Sequence, residues 1–296
     1  MFRIVKELDI KFMEIKKIPL IISTVLLLVS LLSISIKGFN FGIDFSSGYI
    51  VQLKFDNQVT ALEVQDELSR NNINDSTVQL YGSSKEILIK LKDEEIFKKK
   101  NINNYLNEIF KESNFEITKL EYVGAQVGSE LREKGEWAML IALFSILIYV
   151  ALRFELIFGL GAISALIHDV VITLGFFSFF NLTFDLSVLA AVLAVIGYSL
   201  NDSIVVFDRI RENNIILRKL SIFAVLNKSI NQTLSRTLVT SFTTMLVVIS
   251  LLLFGGSAVE NFSIAMLIGI LIGTYSSIFI ASASLSYFGI KRPEET

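Results

Sequence analysis

The 296-residue chain has no cysteine and a single histidine, His168. Without thiols there are no disulfides or thiolate metal sites, and one imidazole cannot build a histidine-cluster metal centre. The missing cysteines identify no compartment. No Gly-Lys-Ser or Gly-Lys-Thr closes a Walker-type glycine loop, so direct use of ATP has no support. Charge is scarce as well: 19% of residues are Asp, Glu, Lys or Arg, against 52% hydrophobic ones. The mean hydropathy is +0.60.

What is present in their place is long apolar runs, at Pro19 to Ile36, Trp137 to Leu152, Leu156 to Phe180, Leu186 to Phe207, Thr237 to Phe254 and Phe262 to Phe288. Runs of this length and composition read as transmembrane helices, which makes the chain a polytopic α-helical membrane protein with six spans. Lys and Arg mark the cytoplasmic connections. They cluster before span 1 (Arg3, Lys6, Lys11, Lys16, Lys17), between spans 4 and 5 (Arg209, Arg211, Arg218, Lys219, Lys228) and after span 6 (Lys291, Arg292), while 181–185 and 255–261 have none. Both termini are therefore expected in the cytoplasm, as segments 1–18 and 289–296, with a cytoplasmic loop at 208–230. Span 1 lacks a small-x-small cleavage site and reads as a retained anchor.

Between spans 1 and 2 the character changes. Residues 37–136 carry 13 Lys and Arg against 17 Asp and Glu, net −4, against +2 for the rest of the chain. This segment is expected to be a folded domain on the outer side. Tyr49 to Phe55, Thr77 to Tyr81, Glu86 to Leu91 and Ile117 to Val123 alternate as strands, and Thr60 to Asn71 has helical apolar spacing. Asp93 to Ser113 reads as a second helix, with Asp93, Glu94 and Glu95 in its first turn, where the dipole favours them. The order β-α-β-β-α-β is that of a ferredoxin-like α+β unit. It offers no catalytic constellation, and the run Lys98, Lys99, Lys100 reads as a solvated helix face. No enzyme activity is expected. At its junctions, Ser46, Ser47 and Gly48 on entry and Gly124, Gly128 and Gly135 on return suit either a hinge or a rigid tight turn.

The membrane segments hold the pointed chemistry. Asp202 lies inside span 4, and a carboxylate at bilayer depth costs a few kcal/mol, so it is rarely retained without a partner or a pathway. At 1.5 Å per residue it lies about 9 Å inward of Asp208, and Arg236 lies about 9 Å inward of a span 5 that begins near Ile230. The two charges share a level. They are read as a proton-coupling pair, with a structural salt bridge or a snorkelling arginine as the alternative. Tyr198 and Ser199 share the Asp202 face of the helix, Thr240 continues up span 5, and His168 and Asp169 sit about 18 Å into span 3. These complete the expected proton pathway, although a lone membrane histidine also serves as an interhelical hydrogen bonder. One charge moving through 100 mV releases about 2.3 kcal/mol, enough to bias a conformational equilibrium.

Five stretches then bring a family into view. They are Phe41 to Gly48 after span 1, Val123 to Gly128 before span 2, His168-Asp169-Val170, Ile196 to Asn213, and Ser235-Arg236-Thr237 with Thr240-Ser241. Together these resemble the SecF family of bacterial protein-export membrane proteins, along essentially the whole chain. The resemblance implies a six-span half of the resistance-nodulation-division fold in the inner membrane, paired with SecD. It also implies work beside the SecYEG channel, after the SecA ATPase, on unfolded secretory polypeptides, with protons as the coupling ion, no other cofactor and no nucleic acid. Asp202 and Arg236 match the family's proton-pathway residues. One departure stands out: the family's loop ends Asp-Phe-x-Gly-Gly, and here Ser47 occupies the first of those glycine positions. A proton-driven exporter of small molecules or lipids, or a translocon scaffold without transport, remain as alternative functions.

Overall fold

The computed structural model describes residues 9–73, 76–92, 102–111, 113–153 and 156–289. Six helices among them are long and apolar enough to cross a membrane. In chain order these are α1 (Lys17–Lys37), then, after the outer domain, α4 (Ala125–Arg153), α5 (Leu156–Phe179), α6 (Leu186–Ile216), α7 (Ile222–Phe254) and α8 (Ser257–Ser276). The last continues through a π-helical turn, Ser277–Ala281, into α9 (Ser282–Phe288).

Between α1 and α4 come β1 (Asn40–Phe41), β2 (Gly48–Phe55), α2 (Ala61–Arg70), β3 (Ser76–Tyr81), β4 (Ser83–Lys92), α3 (Ile102–Ile109) and β5 (Phe115–Val123). Strands β2 to β5 form one antiparallel sheet in the order β3-β4-β2-β5. That is the ferredoxin-like topology expected from the alternation of apolar residues. The register places Val51 opposite Ile89 and Leu53 opposite Ile87. Period-2 alternation therefore points one apolar row of each strand at the two helices. There Val51, Leu53, Ile87, Ile89 and Leu91 pack with Val64 and Leu68 of α2 and Leu106 of α3. Helix α2 starts on a reciprocal cap: Thr60 Oγ1 accepts from Glu63 N–H at 3.2 Å, and Glu63 Oε2 accepts from Thr60 N–H at 2.9 Å. Of the helix expected at Asp93 to Ser113, Ile102–Ile109 is seen, and the acidic first turn and the Lys98 to Lys100 run lie outside the described residues.

Hydropathy located the apolar part of each span and not the ends of the helices. Helix α4 begins twelve residues before Trp137, α6 continues past Asp208 to Ile216, and α7 starts at Ile222, so 217–221 alone separates them where 208–230 was expected as loop. Polar helix ends outlast the hydrocarbon because their side chains brace one another, as Lys134 does with Glu130 at 2.7 Å and Asn213 Nδ2 with Ser229 Oγ at 2.8 Å.

Helices α5, α6 and α8 form the centre, with α1 against α5, α7 against α6 and α8, and α4 against α5 and α6. Helix α1 reaches α5 closely because Gly175 has no side chain: a Cβ there would fall 2.1 Å from Ser30 Cβ. The N-terminal turn docks on α7, where Asn231 both accepts from Ile10 N–H (3.0 Å) and donates to its carbonyl (2.8 Å), and Asn227 accepts from Met13 N–H (2.8 Å). The start of the chain, the α6–α7 turn and the end of α9, where Lys16 meets Ser286, thus share one side of the helix bundle. On the opposite side β1 pairs in parallel with β6 (Thr183–Phe184), joining the loop after α1 to the α5–α6 connection.

Candidate functional site

The centre of the bundle holds two buried carboxylates on neighbouring turns of one polar seam. Asp169 of α5 is 0% exposed. Its Oδ2 accepts from Ser199 Oγ of α6 at 2.5 Å and from Ser276 Oγ of α8 at 2.7 Å, while Oδ1 lies 2.9 Å from His168 Nδ1. Three partners from three helices surround it. Asp202 lies one helical turn beyond Ser199, about 4.5 Å along α6. It is 2% exposed, yet its carboxylate accepts a single hydrogen bond among the described residues, from Ser241 Oγ of α7 at 3.4 Å. Ser241 in turn accepts from Thr274 Oγ1 of α8 at 2.7 Å. A buried carboxylate with so few donors is costly to keep charged, and this sets Asp202 apart from Asp169.

The expected pathway residues divide between these two centres. His168, Asp169 and Ser199 come together around the first. Tyr198, on the same turn as Ser199, instead donates to Thr244 Oγ1 of α7 at 3.4 Å. Thr240 turns back on its own helix, donating to the Arg236 carbonyl at 2.9 Å. Arg236 is near enough to act on Asp202 as a charge, but no ion pair within 4.0 Å joins them. The cause is azimuth. Thr233, Thr237 and Ser241 recur every four residues and face inward, and Arg236, one position before Thr237, is rotated by about 100° to the exposed side. Depth arithmetic carries no information about that rotation.

Three participants escaped the sequence reading: Thr274, Tyr275 and Ser276, all on α8. Serine and threonine are unremarkable in apolar helices, and the signal available was the glycine rhythm of the same face. A Cβ at Gly273 would fall 3.0 Å from Ser199 Cβ, so this face of α8 lies hard against α6. The second half of the long span 4 motif is structural: Arg209 Nε donates to Gln232 Oε1 at 2.7 Å, and Asn213 donates to that same oxygen at 2.7 Å, fastening α6 to α7.

At the junction with the outer domain, none of the marked glycines has positive φ. The requirement for glycine at two of them is close approach. A Cβ at Gly48 would fall 2.2 Å from the Leu91 carbonyl oxygen, and one at Gly128 2.0 Å from that of Ser46. Ser47 is half-buried with negative φ, and so a side chain is tolerated where the family pattern has its first glycine. Gly135 faces the pliable end of Leu189, at 2.7 Å, and Gly124 is in ordinary contact with Tyr122. Ser46 Oγ bonds back to the Gly42 carbonyl at 3.0 Å, and Gly42 N–H donates to Phe184 O at 2.9 Å. Phe39, Phe41, Phe45 and Phe184 cluster around this joint. Among the described residues, no three His, Asp or Glu side chains converge as a metal site would need.

Comparison with known proteins gives a consistent pattern. The sequence profile described as protein export membrane protein SecD/SecF, C-terminal, matches residues 101–291, and that of the SecD/SecF GG motif matches 32–59. The protein translocase subunit SecF of Desulfurispirillum indicum is 46% identical over 287 residues, covering 94% of this chain and 91% of that protein. The subunit of the same name from Pseudomonas aeruginosa is 43% identical over 281 residues, covering 95% and 92%. Among solved structures, that of SecDF, a translocon-associated membrane protein from Thermus thermophilus, superposes with a TM-score of 0.79 at 36% identity over 97% of this chain. The chain spans 39% of the length of that SecDF protein.

Proposed function

This chain belongs to the SecF family of protein-export membrane proteins, and we propose on that premise that it converts the proton-motive force into late, outer-side export of polypeptides. It is a multi-pass inner-membrane protein and a protein translocase subunit. In the proposed arrangement both termini face the cytoplasm, and the ferredoxin-like domain works on the outer side. A SecD partner completes the transport unit beside SecYEG, and unfolded secretory polypeptides are handled after SecA has driven the cytoplasmic phase.

The observation that carries this reading is Asp202, buried inside a membrane-spanning helix with one 3.4 Å hydrogen bond among the described residues. A residue serving structure alone would be supplied with partners as Asp169 is, or replaced by an apolar one. Proton uptake neutralises Asp202 and removes the pull of the nearby Arg236, so the α6–α7 contact has two preferred arrangements. Each proton crossing 100 mV contributes about 2.3 kcal/mol to that cycle.

The test is Asp202→Asn, which keeps shape and removes titration. Export stimulated by the proton gradient in membrane vesicles should fall to the gradient-independent level, while the amount of protein in the membrane is unchanged. Export that still responds fully to the gradient would end the proposal.

A further inference from the structure

Two buried side-chain polar atoms among the described residues have no hydrogen-bond partner: His168 Nε2 and Thr237 Oγ1. Their locations are informative. Thr237 lies one turn before Ser241 on the inward face of α7, at the Asp202 centre, and His168 adjoins Asp169. The unpaired atoms therefore border the two carboxylates, in a bundle whose other buried hydroxyls are mostly returned to a carbonyl three or four residues back, as in Thr173, Ser229 and Thr233.

We propose that His168 is a second proton-binding residue of the pathway, that Nε2 is the atom that takes the proton, and that Asp169 is a positioning residue that stays ionised. The inference rests on the reading of Asp202 given above and assigns roles to its neighbours. With Asp169 ionised, as proposed, its carboxylate only accepts, so the 2.9 Å contact places the hydrogen on Nδ1 and leaves a lone pair on Nε2. An imidazole kept for structure would spend both nitrogens. Here one is held by a carboxylate and the other is left bare, which is the arrangement of a general base. With His168, Ser199 and Ser276 around it, Asp169 is far better supplied with partners than Asp202, which suits it to the positioning role.

The surroundings add no competing charge. From α8 the Tyr275 ring stacks on the imidazole at 6.2 Å and 26°, and its hydroxyl is engaged by Pro19 O (2.6 Å) and Ser23 Oγ (3.0 Å) of α1. Helix α6 contributes Ser199 and, a turn away, Asp202, while α9 brings Tyr287 at its far end. The charged residues of α1, Lys17 and Lys37, and those of α4, which fall in 130–136 and at Arg153, stand near the helix ends. A proton on Nε2 would therefore be balanced by Asp169 and, across Ser199, by Asp202.

His168 is the sole histidine, so the chain reports on it without assignment. The full chain, purified through a histidine-free tag, labelled with 15N-histidine and placed in lipid bilayers, should give one pair of ring-nitrogen resonances. In alkaline buffer we expect protonated Nδ1 and bare Nε2, with Nε2 gaining a proton on acidification. A ring that carries its hydrogen on Nε2, or an Nε2 that stays bare throughout, overturns the inference. Asp169→Asn should scramble the tautomer, and retention of a single Nδ1–H form would remove Asp169 from its positioning role. His168→Gln should lower gradient-driven export by roughly tenfold or more, and undiminished export would also overturn the assignment. The spectrum is read without export, so a failed titration leaves Asp202 untouched, and a gradient response retained in Asp202→Asn leaves the titration result standing.

Discussion

In the outer domain the buried side chains are apolar, with Gln79 the one buried polar side chain described there. In the membrane helices buried polar side chains join the buried apolar ones, and large apolar side chains lie outside. Phe254 is 86% exposed, while His168, Asp169, Asp202 and a succession of serines and threonines are buried. Each region hides what its solvent rejects, water in one case and lipid tails in the other. The consequence for energetics is a division of labour. The outer domain gains stability from apolar burial, whereas the polar membrane interior contributes modestly to stability, since interhelical hydrogen bonds there average about 0.6 kcal/mol. Residues retained at such small gain are the ones to suspect of function.

The contrast is sharpest for Leu53, fully buried in the sheet core. Leu53→Ala should destabilise the outer domain by about 2–5 kcal/mol, read as a drop in its protease resistance, whereas Asp202→Asn should leave that resistance unchanged. Equal effects from the two changes would dissolve the division. Gly128→Ala tests the seam between the regions, because its Cβ would enter backbone at Ser46. A loss of about 1–3 kcal/mol is expected, detected as weakened protection of the Phe45 to Gly48 amides in hydrogen exchange. Wild-type protection would mean that the joint yields freely.

The smallest effect belongs to the cap of α2. Thr60→Ala should cost about 1 kcal/mol in helix stability. The Thr60 backbone N–H, and then its hydroxyl, hold the Glu63 carboxyl below its ordinary range. A depressed carboxyl contributes stability above its unfolded pKa and loses it as pH falls through the folded one, so the difference between Glu63 and Glu63→Gln should close on acidification below about pH 4. A difference that persists in acid would place the contribution of Glu63 elsewhere.

The outer domain was legible because alternation along a strand encodes which face is buried, and Val51, Leu53, Ile87 and Ile89 announce the sheet. The six membrane-length helices were legible because long apolar runs have few other uses. What the sequence withheld was rotation about each helix axis. Lipid-facing and core-facing positions are both largely apolar here, so only the glycine rhythm hinted that Thr274 and Ser276 face inward, and nothing marked Arg236 as outward. The pairing of Asp169 with Ser199 shows the other limit, since two residues thirty apart in sequence meet only once α5 and α6 are packed.

The docking of the N-terminal turn on α7 sets an order of events in biosynthesis. Ile10 hydrogen-bonds to a residue 221 positions later, and at about 5–20 residues per second a ribosome needs roughly 10–40 s to make the intervening chain. During that interval Phe12 and Met13, both buried in the finished molecule, are without the surface that covers them. A segment made well before α7 is thus seated only after it, and its arrival records that α7 is already in place.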